Sequence, residues 1–266
     1  MISFLFSLLE LLAIDLDMPA IAILKTGSAP EAIRLQHGDF EDWFRILLAA
    51  SQLPIICIDA TSGRLPDPSQ YAGVVVTGAA AMVTDHLPWS DDSAAWLRRV
   101  HEQKIPLLGV CYGHQLLADA LGGVVADNPG GRIIGGYRFV AESAARRDVL
   151  FAPLPEEFSV QKTHCQQVVR LPPGAVGLGA TPGDPYAAFR MGRSSWGVQF
   201  HPEFSSAVTA QYVAARREKL TTEGLDVPAV LSSVAPSDLS QRIVSGFAAY
   251  CATYLTDTKY PLQGNG

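Results

Sequence analysis

Short apolar runs alternate with longer amphipathic stretches over the first half of the chain. The runs have the length and composition of buried strands, and the stretches place their apolar residues at helical spacing. An order of strand, helix, strand, loop and strand indicates a parallel sheet with helices on its faces. The predicted strands cover residues 19–24, 54–58 and 73–76, the predicted helices cover residues 39–51 and 89–103, and residues 25–38 are predicted to form a loop.

The pattern changes after residue 123 to short β-like runs separated by glycine and proline. This spacing predicts antiparallel strands and hairpins that extend the sheet. Helical spacing returns at residues 205–219 and 238–254, with a predicted loop between them. The fold class predicted is therefore α/β, with a mostly parallel central sheet flanked by helices and an antiparallel extension. The strands predicted in this half cover residues 131–140, 158–162, 168–171, 175–180, 186–191 and 195–200.

The two ends of the chain differ in texture from the rest. The first fourteen residues are apolar but lack a basic region, contain Glu10 and are too short a run to cross a bilayer. We expect residues 1–17 to be a loosely attached extension, residues 18–256 to form the domain with C-terminal helices from about residue 205, and residues 257–266 to be a tail.

Residues 105–123 carry the most informative local pattern: an apolar run, the segment GVCYG, and an amphipathic run that ends in two glycines. This order predicts a strand, a tight turn with Cys111 at its apex, and a helix. Glycines two residues to either side of Cys111 leave room for close backbone contacts, as in a nucleophile elbow. The N-terminus of a helix favours the thiolate, which is the reactive form of cysteine. Alone, the pattern fits a buried structural cysteine equally well.

A second segment, WGVQFHPEF at residues 196–204, places a histidine and a carboxylate two positions apart. In extended backbone such residues point the same way, so Glu203 can hold one ring nitrogen of His201 and leave the other free to take a proton. His-Pro-Glu alone is more typical of a surface turn. Combined with an elbow cysteine, it indicates a nucleophile, a base and an orienting acid. Of the other histidines, His114 lies on the elbow helix and His164 in a predicted loop.

Composition excludes several other classes of function. The net charge is −6 and no stretch is rich in lysine and arginine, which argues against nucleic acid as a partner. The four cysteines are widely spaced without a CxxC pair, so they predict neither a zinc site nor a disulfide framework. Their pattern fits a protein of the reducing cytoplasm, and no segment predicts a membrane partner.

Together the two segments resemble the class I glutamine amidotransferases. This family includes the glutaminase domains of GMP synthase and anthranilate synthase, and free-standing γ-glutamyl peptidases of plants. The resemblance covers residues 19–204 and rests on GVCYGHQ, followed about ninety residues later by VQFHPEF. It implies a flavodoxin-like fold with Cys111 as nucleophile, His201 as base and Glu203 as orienting acid.

The resemblance also implies the surroundings of the nucleophile. The backbone N–H groups of Ala79 and Tyr112 would form the oxyanion hole, and Gly78, Gln115 and His164 would contact the substrate. This chain departs from the family pattern at two positions. Ala79 stands where many relatives have glycine, so a left-handed conformation there would cost about 1 kcal/mol or more.

The second departure is Gln166, in the segment HCQQV at residues 164–168, where relatives often have aspartate. This replacement affects the contacts expected with the γ-glutamyl head group. It therefore bears on whether free glutamine or another γ-glutamyl compound is the preferred substrate.

The implied reaction is hydrolysis of a γ-glutamyl amide, such as glutamine to glutamate and ammonia, through a thioester on Cys111. No metal or organic cofactor is implied. Because no Walker-type ATP-binding motif is present, a synthetase that receives ammonia would be a separate subunit. One alternative is a free-standing γ-glutamyl peptidase acting on small γ-glutamyl compounds, and another is a catalytically degenerate regulatory subunit. An α/β-hydrolase is disfavoured because its acid precedes its histidine.

Overall fold

The computed structural model of the protein describes residues 18–256. The expected extension at residues 1–17 and the expected tail at residues 257–266 lie outside this range. Within it, the main sheet has the strand order β2-β1-β3-β4-β11-β10-β9-β6-β7, and β5 pairs with β8 in a small second sheet. The strands are β1 (Ile21–Lys25), β2 (Ile55–Asp59), β3 (Gly73–Val76), β4 (Leu107–Val110), β5 (Val124–Asp127), β6 (Ile133–Ala141), β7 (Glu157–His164), β8 (Gln166–Arg170), β9 (Val176–Thr181), β10 (Asp184–Met191) and β11 (Ser195–Val198).

The first five strands in this order, β2, β1, β3, β4 and β11, are parallel to one another. Strands β3, β4 and β11 are buried along their whole length and mostly apolar. Continuous apolar runs are typical of strands covered on both faces. Val76 pairs with Gly109, and Val110 pairs with Val198. The carboxyl ends of β3, β4 and β11 therefore meet at one edge of the sheet, where ligands bind in open α/β folds.

The other half of the main sheet is antiparallel, because β10 pairs with β11 and β9, and β6 pairs with β9 and β7. The predicted fold class is thus confirmed, including its antiparallel extension. Strand β5 was not predicted. Its pattern is short and only partly buried, which leaves little periodicity to detect.

Helices cover both faces of the parallel half. Helices α2 and α8 pack apolar side chains, among them Phe44 and Phe247, against one face. Helices α3 and α4 pack Leu97 and Leu116 against the other. The helices are α1 (Glu31–His37), α2 (Phe40–Leu48), α3 (Pro88–Glu102), α4 (Tyr112–Ala120), α5 (Ser206–Ala215), α6 (Arg217–Thr222), α7 (Val227–Ser233) and α8 (Asp238–Tyr254).

Two segments predicted to be loops contain helices, α1 and α7. In each, a proline taken as a breaker lies at the helix start, where its missing N–H costs nothing. Pro30 is the residue before α1, and Pro228 lies in the first turn of α7, where the Asp226 side chain caps the helix.

Two further predictions differ from the structure. The helix expected over residues 205–219 is divided at Arg216 into α5 and α6. His164, expected in a loop, is the last residue of β7, paired with Ile133. Glycine and proline indicate where the hairpins of this region turn. They do not indicate that β7 continues to His164, because that end of β7 pairs with the start of β6, which is distant in sequence. Within residues 18–256, no helix combines the length and apolar character needed to cross a membrane.

Candidate active site

Cys111 lies between the buried strand β4 and helix α4, as the elbow pattern predicts. Its φ of 53° and ψ of −102° are unusual for a non-glycine residue, and a left-handed φ costs on the order of 1–2 kcal/mol. Hydrogen bonds hold this conformation: the Cys111 N–H donates to the Val198 carbonyl at 2.9 Å, and its carbonyl accepts from the Gln115 N–H at 3.1 Å. Sheet and helix therefore fix the sulfur at the first turn of α4.

The glycines on either side of Cys111 are required by close backbone packing. A Cβ at Gly109 would lie 2.3 Å from the Gly113 carbonyl oxygen, and one at Gly113 would lie 2.6 Å from the Val76 carbonyl oxygen. Both distances are far inside van der Waals contact. The neighbouring backbone can approach the turn only because neither residue has a side chain.

We expect Gly113→Ala to lower the free energy of unfolding by about 1–3 kcal/mol, because the added methyl group must displace backbone atoms of β3. Urea unfolding measures the change. Gly246→Ala is the matched control: on α8 its added methyl group would lie 3.7 Å from Leu150 Cδ2, so it should be neutral or stabilising by up to about 1 kcal/mol. Equal unfolding midpoints for Gly113→Ala and the wild type would contradict this account of the elbow.

His201 follows β11 and is held by Glu203. The distance from His201 Nδ1 to Glu203 Oε1 is 2.8 Å, and both side chains are buried. The contact predicted from the sequence is present, but by a different route: the chain turns at Pro202 and Glu203 instead of remaining extended. Nε2 of His201 is buried and has no hydrogen-bond partner within residues 18–256, so the second ring nitrogen is free.

Aromatic rings fix the plane of the imidazole. The Phe204 ring stacks on His201 with centroids 4.0 Å apart, and Phe40 lies nearly parallel to it at 6.2 Å. The opposite boundary is Gly78, where an added Cβ would lie 3.1 Å from His201 Cε1 and 3.8 Å from Cys111 Cβ. Cys111 and His201 are therefore both close to the backbone of Gly78.

The charge state of His201 depends on this environment. Burial opposes its protonation, but negative charge on Cys111 and Glu203 outweighs this and raises the pKa of His201 to about 10. His114, in contrast, is fully buried beside Gly197 and Phe189, and burial lowers its pKa to about 3. His114 is therefore a neutral core residue and not a competing base.

The two predicted oxyanion-hole residues, Ala79 and Tyr112, line the same cavity as Cys111. The Ala79 and Tyr112 N–H groups donate no hydrogen bond to any of residues 18–256. The Gly78 carbonyl accepts a hydrogen bond from Thr26 Oγ1 at 3.1 Å. Thr26 Oγ1 also lies 2.9 Å from the Thr77 carbonyl oxygen, and Thr77 Oγ1 lies 3.1 Å from the Gly78 carbonyl oxygen, so both threonines hold the segment before Ala79. Ala79 does not have a positive φ, so alanine causes no left-handed strain here.

Gln115 lines the cavity, and its amide nitrogen is engaged within the protein. Nε2 donates to the Gln166 carbonyl at 2.6 Å and to Gln199 Oε1 at 3.0 Å. This orientation leaves the Gln115 amide oxygen for a ligand. Gln166 also faces the cavity, and its Nε2 donates to Thr84 Oγ1 at 2.6 Å and to Asp127 Oδ1 at 2.9 Å. Relatives often have aspartate at the position of Gln166. In this chain, the Asp127 carboxylate is hydrogen-bonded to the Gln166 side chain at that position.

His164 is part of a buried polar cluster that the sequence did not reveal. Its Nδ1 lies 2.9 Å from the Gln166 carbonyl oxygen and its Nε2 lies 3.1 Å from Asp184 Oδ2. Asp184 also pairs with the buried amine of Lys162, which donates to Thr181 Oγ1 at 2.6 Å. Although His164 lines the cavity, both of its ring nitrogens face protein acceptors. Its predicted contact with the substrate stays a prediction.

The cavity beside Cys111 has a volume of about 190 Å³. Its inner wall is formed by the elbow, the segment after β3 and His201. A further part of the wall comes from the residue before β6 and from α5, α6 and the residue between them, and includes residues that the sequence did not single out. No cluster of three or more histidine, cysteine or acidic side chains with metal-binding geometry occurs in residues 18–256. The additional wall residues are Arg132, Tyr212, Arg216 and Lys219.

Comparison with known proteins identifies the family of this chain. The model of the class-I glutamine amidotransferase family matches residues 50–218. The glutamine-hydrolyzing GMP synthase of Aeropyrum pernix is 35% identical over 154 residues, which are 57% of this chain and 27% of that protein. That of Thermosipho africanus is 34% identical over 146 residues, 54% of this chain and 26% of that protein. The chain thus spans about a quarter of the length of these relatives.

Solved structures agree in fold. A glutamine amidotransferase of Thermotoga maritima has a TM-score of 0.69 at 21% identity, covering 87% of this chain and 98% of its own. One from Methylobacillus flagellatus has a TM-score of 0.69 at 22% identity, covering 90% and 95%. Because the family model covers well over half of the 266 residues, the chain belongs to the class-I glutamine amidotransferase family.

Proposed function

We propose that this protein hydrolyses a γ-glutamyl amide, converting glutamine to glutamate and ammonia through a γ-glutamyl thioester on Cys111. The observation that carries the proposal is the arrangement at the elbow. Cys111 adjoins the buried His201–Glu203 pair, whose free Nε2 has no partner in the described chain. A nucleophile next to a base that is itself oriented by a carboxylate is the general arrangement for acyl transfer.

In the first step, the Cys111 sulfur attacks the side-chain carbonyl carbon of the substrate, and the carbonyl oxygen becomes an oxyanion. The Ala79 and Tyr112 N–H groups are free to donate to this oxygen. Donors of this kind contribute about 3–4 kcal/mol each in comparable acyl transfer. Protonated His201 stabilises negative charge on the sulfur before the attack, since its pKa is raised to about 10.

In the second step, the tetrahedral intermediate collapses, the carbon–nitrogen bond breaks, and His201 gives its proton to the departing ammonia. Neutral His201 then takes a proton from water, which attacks the thioester carbonyl. Collapse of the second intermediate breaks the carbon–sulfur bond, releases glutamate and restores the thiolate and imidazolium. No oxidant, reductant or cofactor is needed for this cycle.

The ammonia produced would serve a separate synthetase subunit. The family match and the glutamine-hydrolysing relatives support this role, and those relatives are GMP synthases. A free-standing γ-glutamyl peptidase uses the same chemistry with an amine in place of ammonia as leaving group. The arrangement of the triad supports both reactions. The two functions are therefore distinguished by which substrate the protein prefers, glutamine or a γ-glutamyl peptide.

We expect the purified full chain to release glutamate and ammonia from glutamine in equal amounts, measured by mass spectrometry and an ammonia assay. γ-Glutamylalanine is the comparison substrate. Strong turnover of the dipeptide with none of glutamine would contradict the ammonia-donor role and support a peptidase. No turnover of either, with or without candidate synthetases, would support a degenerate regulatory subunit.

A further inference from the structure

One part of the cavity wall is cationic. Arg132, Arg216 and Lys219 all line the cavity that contains Cys111. Arg132 precedes β6, Arg216 separates α5 from α6, and Lys219 lies on α6. The chain as a whole carries a net charge of −6, so composition alone does not account for three cations beside one cavity.

Only one of these cations has a carboxylate partner in the described part of the chain. Arg132 pairs with Glu223 through two contacts, Nε to Oε2 at 2.7 Å and Nη2 to Oε1 at 3.2 Å. Within residues 18–256, Arg216 and Lys219 form no ion pair. The cavity wall therefore keeps an excess of positive charge after its internal pairing is complete.

Arg216 is the least compensated member. Its guanidinium lies over the Tyr212 ring, 4.7 Å from the centroid, and its Nη1 is buried without a hydrogen-bond partner in residues 18–256. Burial and the neighbouring Arg132 lower the pKa of Arg216, although Tyr212 opposes the shift. A buried donor without an acceptor is costly, and the cost falls when a ligand supplies the acceptor.

Stacked aromatic rings connect Arg216 to the catalytic histidine candidate. The Tyr212 ring stacks on Phe204 with centroids 5.0 Å apart, and Phe204 stacks on His201 at 4.0 Å. The guanidinium therefore lies on a rigid wall shared with the proposed base. A group bound by Arg216 would be held in a fixed position relative to His201.

We propose that the cationic wall, with Arg216 as its principal contact, binds a carboxylate of the γ-glutamyl substrate. The planar guanidinium matches a carboxylate in geometry, and its unpartnered Nη1 supplies a donor. Two carboxylates have this chemistry: the α-carboxylate of the glutamyl head group, and the carboxylate of an amino acid that leaves from a γ-glutamyl peptide. This inference rests on the proposed γ-glutamyl hydrolysis and extends it to substrate recognition.

The test compares four substrates with the wild type, Arg216→Gln and Arg216→Lys. γ-Glutamylglycine has both carboxylates, glutamine and γ-glutamyl methylamide have only the α-carboxylate, and glutamine α-amide has neither. The matched control is Arg217→Gln, the adjacent arginine, which is exposed and does not line the cavity. Melting temperatures of all variants show whether the fold is retained.

We expect Arg216→Gln to raise KM about 10- to 100-fold for the carboxylate that is recognised, with a smaller change in kcat. Arg216→Lys should restore part of the loss, and Arg217→Gln should behave as the wild type. A loss on all three α-carboxylate substrates assigns the head group, and a loss on γ-glutamylglycine alone assigns the leaving group. An equal effect on glutamine α-amide, or no effect on any substrate, would overturn the inference.

A binding measurement separates this inference from the proposed reaction. Isothermal titration calorimetry of Cys111→Ala with glutamine and γ-glutamylglycine, with and without Arg216→Gln, needs no turnover. Binding that depends on Arg216 in a protein whose wild type hydrolyses none of the four substrates would support the carboxylate site and refute the reaction. Hydrolysis combined with binding that does not depend on Arg216 would refute the carboxylate site alone.

Discussion

Cys111→Ser is expected to lower kcat/KM for glutamine by at least about 10⁴-fold while the fold is retained. The serine hydroxyl fits the space of the thiol, but it is a far weaker nucleophile at neutral pH. Glutamate release measures the loss, and thermal unfolding checks the fold. Cys57→Ser is the control, because Cys57 is exposed on β2 and away from the cavity. Substantial turnover by Cys111→Ser would refute the thioester mechanism.

Alkylation gives a readout of the same residue that does not depend on the substrate. In the proposed mechanism, protonated His201 stabilises negative charge on the Cys111 sulfur. The pKa of Cys165 is raised by burial, and that of Cys57, although its side chain is exposed, by partial desolvation. Iodoacetamide at pH 6 should therefore modify Cys111 before the other two, as followed by peptide mass spectrometry. Modification of Cys111 no faster than a free thiol would favour a degenerate regulatory subunit.

His201→Ala is expected to reduce kcat/KM by at least about 10⁴-fold. The reduction expected for Glu203→Gln is smaller by a factor of roughly 100. His201 moves the proton in both steps of the proposed reaction, so nothing replaces it. Glutamine at residue 203 keeps a side chain near Nδ1 but loses the negative charge. The measurement is glutamate release by both variants under the same conditions, with melting curves as the check on folding. A larger loss in Glu203→Gln than in His201→Ala would contradict the assigned roles.

The pH dependence of stability provides a related check on these two variants. The pKa of His201 is about 10 in the folded protein against an ordinary value of 6.5, because Cys111 and Glu203 outweigh the effect of burial. A raised folded-state pKa contributes stability that is fully present below pH 6.5 and is lost as the pH rises toward 10. Removing the charge of Glu203 should weaken this decline. Urea unfolding at pH 6, 8 and 10 measures the difference between Glu203→Gln and the wild type.

Local pattern was enough to predict the strands around the site and the turn at its centre. Strand β3 and helix α8 have the bounds that their apolar patterns predicted, because each pattern is uninterrupted. The elbow could be recognised from GVCYG because a tight turn requires its glycines at fixed offsets from Cys111. Helix α1 was missed because Pro30 was read as part of a loop, although proline is compatible with a helix start.

Sequence patterns identified the residue types that can perform the chemistry: a cysteine in an elbow, and a histidine with a carboxylate two positions later. The triad, the oxyanion-hole groups and the substrate contacts of Gly78, Gln115 and His164 came from this pattern and from the family resemblance, and their roles stay predictions. The fold that the resemblance implied is confirmed, and so is membership of the family. These features are local in sequence or repeat a known motif.

The surroundings of Cys111 depend on contacts between segments that are distant in sequence. Thr26, whose hydroxyl oxygen lies 3.1 Å from the Gly78 carbonyl oxygen, and Phe40, which lies nearly parallel to the His201 ring, are far from both motifs in the sequence. The pairing of β6 with β7 turned His164 toward Asp184, and the break at Arg216 brought a cation to the cavity wall. Periodicity reports which face of an element is buried, but it does not report which distant element covers that face. Contacts between distant segments depend on strand order and packing, and these determine what the proposed nucleophile meets.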